Sequence, residues 1–575
     1  MMIGAPEQFP EIMALPPTDM LGYLRSVEHY SVRLLASEQR SAASMTRYLI
    51  SAASFAGAEV AVHVQLCVYD ASDRRLVLSI PGGGGVFRED TTWWLAQHFK
   101  QNYAAIDWIG RGRSPEHPHL RCDYDPIYMA EDDVRDSYTY HNVAALWAAL
   151  NWLFHIGYQP TDIIGGSWGG VFCYLLAALE PRIKRIFPTF GCGGMSFQGV
   201  EKRSMWDAAI QEMGPDRTLR WREAFDPMLR MSDITARTYY ETATNDKFFS
   251  LDMAMATWRR VRNPYFLSLA ANQDHTMNPF GTQPYVVQQV EEDLLSECEA
   301  ISRIQPISSP QSGEVTIHWS GRSDGSTLIL CWSEQRAANG HMSREWHFAR
   351  PECVGSDAAV FRLRRSHVEA DILYFATCLL PIKGITVRAS TGICTAGVSD
   401  LVEPHAASRV ALLEAEGDPW LAPIGDKVGP AVQRSEGGWA IRFARVPRAR
   451  ITRFGIRPWL VPPCWRSIDI VLAEPVDPAV DNLELILSRR YQRNDEEAVA
   501  HAFRDATTSR DGRLRRLRFE RADFVGSVVV EERFRRRSLP SAEAVIDNFD
   551  AIGIMDRLGR FDGVLTLVKM SIDTL

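Results

Sequence analysis

Apolar positions along the chain follow one period near the start and another soon after. Between residues 20 and 56, Leu21, Leu24, Val27, Tyr30, Leu34 and Leu35 recur at helical spacing with few breakers, which predicts one or two helices packed on the neighbouring domain. Residues 61–69 then alternate at period two, 70–73 carry turn chemistry, and Leu76-Val77-Leu78-Ser79-Ile80 has the continuous apolar character of a buried strand. From there strand and helix alternate. A helix is expected over 91–101, a strand over 103–108, an Ala- and Leu-rich helix over 132–155, a short β-branched strand at 162–164 and a helix over 171–179. Next come a strand over 182–190, a polar and partly helical insertion over 196–229, and strands over 235–242 and 264–269. This rhythm predicts a mostly parallel sheet covered on both faces.

Beyond residue 308 the pattern becomes all-β. Alternating runs at 315–319, 327–332 and 385–388 are separated by Gly, Ser, Asp and Pro turns, as in a β-sandwich. A Pro- and Gly-rich stretch over 417–430 precedes strands at 468–472, 483–487, 514–519 and 564–568, which fit a second sandwich or a jelly roll. The expected division is an N-terminal helical segment at 1–57, an α/β domain at 58–304, a β-sandwich at 305–415 and a second β-domain at 416–575. No internal repeat or low-complexity tract is visible.

Composition narrows the function classes. With 575 residues, 46% apolar and 23% charged, the chain has the make-up of a folded protein of roughly two to four domains. A net charge of -8 argues against a general nucleic-acid or membrane-surface role, and no run approaches the ~18 apolar residues of a transmembrane helix. Residues 1–16 carry Glu7, Glu11 and several prolines where a signal peptide needs a basic start and an apolar core, so cytoplasmic residence is expected. The 10 cysteines show no Cys-x-x-Cys and no paired His spacing, which predicts reduced, mostly buried thiols and neither a metal site nor a disulfide frame. No cofactor is expected, and oligomeric state has no signal in the sequence.

The candidate chemistry centres on Gly165-Gly166-Ser167-Trp168-Gly169-Gly170, placed between the strand and the helix around it. Gly-x-Ser-x-Gly in that context is the sequence form of a nucleophile elbow, a tight turn that presents the serine, and side chains at Gly165 or Gly169 would collide with the crossing strand or helix. The five-residue pattern alone is weak, with about 0.2 chance matches expected in such a chain. Gly321-Arg322-Ser323-Asp324-Gly325 also fits it, but lies between two strand-like runs and is expected to be a hairpin loop, so Ser323 is set aside. A serine hydroxyl needs a base to take its proton and a carboxylate to orient that base. Asp246 and His275 come later in the order Ser, Asp, His, each in a loop at the carboxyl end of an expected strand. Asp226, Asp252 and Asp274 are rival acids, Asp274 disfavoured because adjacent side chains diverge. Pro81-Gly82-Gly83-Gly84-Gly85 leaves the strand at 76–80 as a loop whose backbone N–H groups are able to point at a ligand.

These stretches, with Asp107-Trp108-Ile109-Gly110-Arg111-Gly112-Arg113-Ser114, resemble an α/β-hydrolase core over residues 60–290. Gly-Gly-Ser-Trp-Gly and the Gly-Arg-Ser loop are similar to proline iminopeptidases. Those enzymes carry His-Gly-Gly-Pro-Gly where this chain has Pro81-Gly82-Gly83-Gly84-Gly85, and a large helical cap where the insertion at 196–229 is short. The C-terminal β-domains resemble those that esterases and acyl hydrolases append to a hydrolase core. The resemblance implies that Ser167 attacks a carbonyl, His275 relays the proton, Asp246 orients His275, and the N–H groups of Trp168 and of Gly83 or Gly84 hold the oxyanion. The expected function is cleavage of a carboxylic ester, with a small-molecule or carbohydrate ester as substrate. Alternatives are an aminopeptidase, with Glu89, Asp90 or Asp136 receiving a free amine, an acyltransferase to a sugar hydroxyl, and, least favoured, a non-catalytic binding protein. The basic run 513–519 is expected to be a solvated strand face. Trp319, Trp332, Trp439, Trp459 and Trp465 are expected in core packing, with stacking on sugars as the alternative.

Overall fold

In the computed structural model the described residues are 19–40, 42–53, 59–83, 89–107, 133–194, 207–246, 248–271, 273 and 275. Between 307 and 574 they are strands at 307–309, 314–318, 327–334, 347–349, 353–354, 358–362, 372–382, 385–390, 394–396, 410–414, 423–424, 431–435, 438–443, 450–455, 465–473, 483–490, 496–502, 507–511, 514–520, 524–530, 551–556 and 563–574, with short flanks at 346, 351, 391–393 and 521–523. The central sheet is built from β1 (Tyr30–Arg40), β2 (Ala43–Ala53), β3 (Glu59–Val68), β4 (Arg75–Ile80), β5 (Tyr103–Ile106), β6 (Gln159–Gly166), β7 (Arg185–Thr189), β8 (Arg237–Ala243) and β9 (Pro264–Ala270). Their spatial order is β1-β2-β3-β5-β4-β6-β7-β8-β9. Pairing is antiparallel from β1 to β5 and parallel from β5 through β4 to β9. The helices are α1 (Met20–Leu24), α2 (Glu89–Phe99), α3 (Tyr138–His155), α4 (Trp168–Leu179), α5 (Asp207–Phe225) and α6 (Leu251–Trp258).

The parallel strands bury both faces, which is why they read as apolar runs without alternation. Ile163, Ile186, Tyr240 and Leu267 join α3 and α4 in one apolar cluster, while Ile164, Phe187, Tyr239 and Phe266 join Leu95 and Ala96 of α2 in another. α3 is buried nearly all round, and Ser137 caps it by accepting from Tyr140 N at 3.1 Å. α5 is kinked at Gly214, where φ is +76°.

The helices expected over 20–56 are mostly strands. Among the described residues there, only α1 and a 3-10 turn at Arg25–Glu28 are helical. β1 is exposed along nearly all of its length, so neither of its faces is held to apolar residues. β2 is at least partly buried at every position but its last, so it has no clean alternation. Without a burial period of two, Leu-, Ala- and Ser-rich strands imitate helical spacing.

The C-terminal region is a set of antiparallel sheets. Its first strands are β10 (Ile307–Ser309), β11 (Glu314–His318), β12 (Thr327–Glu334), β13 (His347–Ala349), β14 (Cys353–Val354), β15 (Ala358–Arg362), β16 (Ile372–Ile382), β17 (Ile385–Ser390) and β18 (Cys394–Ala396). β10, β11, β14 and β15 form one sheet, and β12, β13, β16, β17 and β18 another. β11 and β12 therefore do not form the hairpin expected around Ser323: consecutive strands cross between sheets, and 319–326 lies outside the described residues. Two further sheets, of seven and six strands, use Val410–Glu414 through Gly563–Thr574. Val410–Glu414 pairs with Gly563–Thr574 and so belongs to the seven-stranded sheet.

β9 would be an open edge of the central sheet, and β17 lies against it. Leu269 N donates to Ser390 Oγ at 3.0 Å, and Arg388 donates to Ser268 Oγ at 2.9 Å and to Glu241 Oε1 at 2.6 Å. Val315, Leu328, Tyr374 and Val387 enter the same apolar cluster as Phe187, Tyr239 and Phe266. No helix among the described residues is long and apolar enough to cross a membrane.

Candidate active site

The site lies where β6 turns into α4. Ser167 sits between them with φ 56° and ψ −121°, a conformation that costs a non-glycine residue on the order of 1–3 kcal/mol and persists only where its surroundings hold it. Those surroundings are close. A Cβ on Gly165 would collide with the carbonyl of Gly169 and sit 2.7 Å from Cys173 Sγ, and one on Gly169 would meet the backbone of Ile80 and Pro81 at the end of β4. A Cβ on Gly166 would meet nothing. Ser167 N donates to Thr189 O at 2.8 Å, fixing the turn to the end of β7. Ser167 occupies the N-cap position of α4 without using its side chain as a cap. Its hydroxyl is engaged elsewhere.

That engagement is with His275, whose Nε2 lies 2.8 Å from Ser167 Oγ. The other ring nitrogen, Nδ1, is 2.7 Å from Asp246 Oδ2. Asp246 Oδ1 accepts from Phe248 N at 2.7 Å and Phe249 N at 3.0 Å, so both carboxylate oxygens are bound. The Asp246 side chain is fully buried and that of His275 is 9% exposed. An ionised carboxylate only accepts, so Nδ1 carries the proton and Nε2 presents its lone pair to the serine hydroxyl. Ser167, His275 and Asp246, from three separate loops of the sequence, thus meet within hydrogen-bond reach.

The other expected site residues are placed less centrally. Gly82 lies against the elbow, a Cβ there being 3.0 Å from Gly166 O and from Ser167 Cβ, and Gly83 continues that loop. Gly84 lies outside the described residues. Trp168 opens α4, where an N–H has no acceptor within its own helix, and its ring is buried. Asp226 is buried and accepts from Gly194 N at 2.7 Å and Met228 N at 2.9 Å. Asp252 is in the first turn of α6, and Asp274 is outside the described residues. The side chains of Glu89, Asp90 and Asp136 are likewise outside them. Trp332 is half-buried against the second apolar cluster; Trp319 and Trp459 lie outside the described residues, as do the side chains of Trp439 and Trp465. In the basic run Arg515 is buried and Arg516 exposed, so only one face of that strand is solvated. Cys67, Cys173, Cys192, Cys331, Cys378 and Cys394 are free thiols, all but Cys394 buried. Burial, then the charges of Asp246 and Asp226, push the Cys192 thiol well above its ordinary range, which leaves it inert beside the site.

Sequence reasoning missed three phenylalanines. The rings of Phe190, Phe248 and Phe249 lie 4.8, 4.8 and 5.7 Å from the His275 ring. Phe248 and Phe249 come just after the acid in the chain, but nothing in their spacing tells where their rings point.

Residues 77–300 match the model of the alpha/beta hydrolase family. No curated protein matches the chain in sequence. Among solved structures, the fold is similar to an acetyl xylan esterase from Paenibacillus sp. R4, at 17% identity, TM-score 0.39, over 48% of this chain and 98% of that one. It is also similar to acetyl xylan esterase 1 from Thermoanaerobacterium sp. JW/SL YS485, at 13% identity, TM-score 0.39, over 50% and 99%. A puromycin-hydrolyzing peptidase of Mycobacterium tuberculosis aligns at 11% identity, TM-score 0.31, over 47% of each chain. At such scores the activities in those names stay with those proteins. The family match over residues 77–300, the strand order and the serine on its strand-to-helix turn agree: this chain carries an α/β-hydrolase core.

Proposed function

We propose that the chain is a serine hydrolase that cleaves a carboxylic ester through an acyl-enzyme on Ser167. The observation that carries this reading is the pair of contacts made by His275, at 2.8 Å to Ser167 Oγ and 2.7 Å to Asp246 Oδ2. As Ser167 Oγ attacks the ester carbonyl, His275 Nε2 takes its proton and the imidazolium is stabilised by the buried Asp246 carboxylate. The oxyanion is held by the N–H of Trp168 and by that of Gly83 or Gly84, each donor being worth about 3–4 kcal/mol of barrier. His275 returns the proton to the departing alcohol, and a water activated by the same nitrogen releases the acid. A sugar hydroxyl in place of that water would make the enzyme an acyltransferase with the same residues.

A fluorophosphonate probe tests the nucleophile: wild type is labelled and Ser167→Ala is not, whereas equal labelling of both overturns the assignment. Comparing p-nitrophenyl acetate and acetylated sugars with proline p-nitroanilide tests the bond cleaved. Turnover of the esters above that of the anilide is the expected result, and the reverse order would make the enzyme an aminopeptidase.

A further inference from the structure

Resting on the reading of Ser167 and His275 as nucleophile and base, we infer that Phe190 is a positioning residue for His275, set by a second strained turn fused to the elbow. Among the described residues three non-glycines have positive φ, and two of them, Ser167 at 56° and Phe190 at 64°, belong to this site. Left-handed backbone is a true outlier for so bulky a residue, so something must hold it. Gly191 N donates back to Thr189 O at 2.7 Å, closing a three-residue turn with Phe190 at its centre, the rare and strained type of γ-turn. Thr189 O is also the acceptor of Ser167 N. One carbonyl therefore ties together the two strained residues.

The rest of the turn is pinned as firmly. Phe190 N donates to Glu241 O at 2.7 Å, and Phe190 O accepts from the buried Tyr240 hydroxyl at 3.0 Å. Gly191 is wedged against the elbow so closely that a Cβ there would collide with Ser167 O. All this directs one side chain onto the base: the Phe190 ring lies 4.8 Å from the His275 ring at 41°. Phe248 meets His275 edge-on at 63° and Phe249 lies more nearly parallel at 29°. The loop after Asp246 thus holds the acid through its N–H groups and the base through its rings, and Phe190 adds a third ring from a different strand. An imidazole hydrogen-bonded at both nitrogens works only if its plane is fixed, and a neighbouring apolar ring fixes it while keeping water from the Nδ1 proton.

The test uses Phe190→Leu, which keeps an apolar side chain at the same strained backbone position, and Tyr240→Phe, which removes only the oxygen that anchors the Phe190 carbonyl. Three quantities are measured on the full chain: the rate of fluorophosphonate labelling, kcat and KM with p-nitrophenyl acetate, and the low-field proton resonance of a histidine Nδ1–H bonded to carboxylate. Both variants should label at least about tenfold more slowly, with kcat lowered, KM unchanged and the proton resonance broadened by exchange with water. If both label within twofold of wild type and keep the resonance, Phe190 does not position His275. Should Phe190→Leu fail to fold, Tyr240→Phe alone decides by the same criteria. Wild-type labelling that survives Ser167→Ala would instead overturn the underlying reading, which separates the two failures.

Discussion

At the scale of single residues, Asp246 does two jobs with two oxygens. Oδ1 is held by the N–H groups of Phe248 and Phe249, and Oδ2 faces His275. This makes Asp246→Asn unusually informative. The two N–H donors fix the amide oxygen at the Oδ1 position and so turn the NH2 toward Nδ1, which must then accept. The imidazole proton moves to Nε2, where it faces Ser167 and can no longer take the serine proton. We predict that kcat for p-nitrophenyl acetate falls by about 10^3 to 10^4 with the fold retained, read by steady-state kinetics beside circular dichroism. A loss of less than about tenfold would show that the acid does not set the tautomer. That Ser167, Asp246 and His275 come together is legible because strand ends and chain order constrain them. Phe190 is not, because a positive φ on a phenylalanine leaves no trace in composition or period.

At the scale of elements, the elbow separates two glycines that the sequence presents side by side. Gly165 packs a strand directly onto the first turn of α4, whereas Gly166 points a missing side chain into open space. Gly165→Ala should lower stability by about 1–3 kcal/mol or more through overpacking, and Gly166→Ala should stay within about 0.5 kcal/mol. Thermal unfolding of the two variants checks this, and equal midpoints would contradict it. The same scale shows where hydrophobic pattern misleads. β1 and β2 look helical in sequence because an exposed edge strand and its half-buried neighbour impose no alternation. β11 and β12 look like a hairpin because two strands and a Gly-rich turn have the same sequence form whether the strands pair or cross between sheets. Strands buried on both faces, β4 and β6 through β9, are readable because burial itself makes them apolar.

At the scale of the whole molecule, the sheet that carries β17 covers the β9 edge of the central sheet. Arg388 of β17 reaches Glu241 on β8 and Ser268 on the edge strand β9. Burial holds the Glu241 carboxyl above the ordinary carboxylate range, and the Arg388 charge opposes that shift. A carboxyl raised in the folded state favours folding fully below its unfolded pKa, and this contribution is lost as pH rises through the folded value. Removing the cation makes the charged form costlier, so Arg388→Met should destabilise by about 3–5 kcal/mol at neutral pH, and by less in acid. Melting temperatures at about pH 5 and about pH 8 should differ from wild type more at the higher value. A deficit equal at both would mean that the pair acts by packing alone. Because β8 carries Glu241 and leads directly to Asp246, the β-region is built into the hydrolase and not merely attached beside it.

Acyl transfer through Ser167 is tested by trapping the intermediate. The protein is mixed with p-nitrophenyl acetate, quenched in acid before turnover, and its peptides are weighed by mass spectrometry. The expected result is a stoichiometric burst of p-nitrophenol and an acetyl group on the peptide containing Ser167, both absent in Ser167→Ala. An acetyl group on another residue, or sustained turnover by Ser167→Ala, would contradict it.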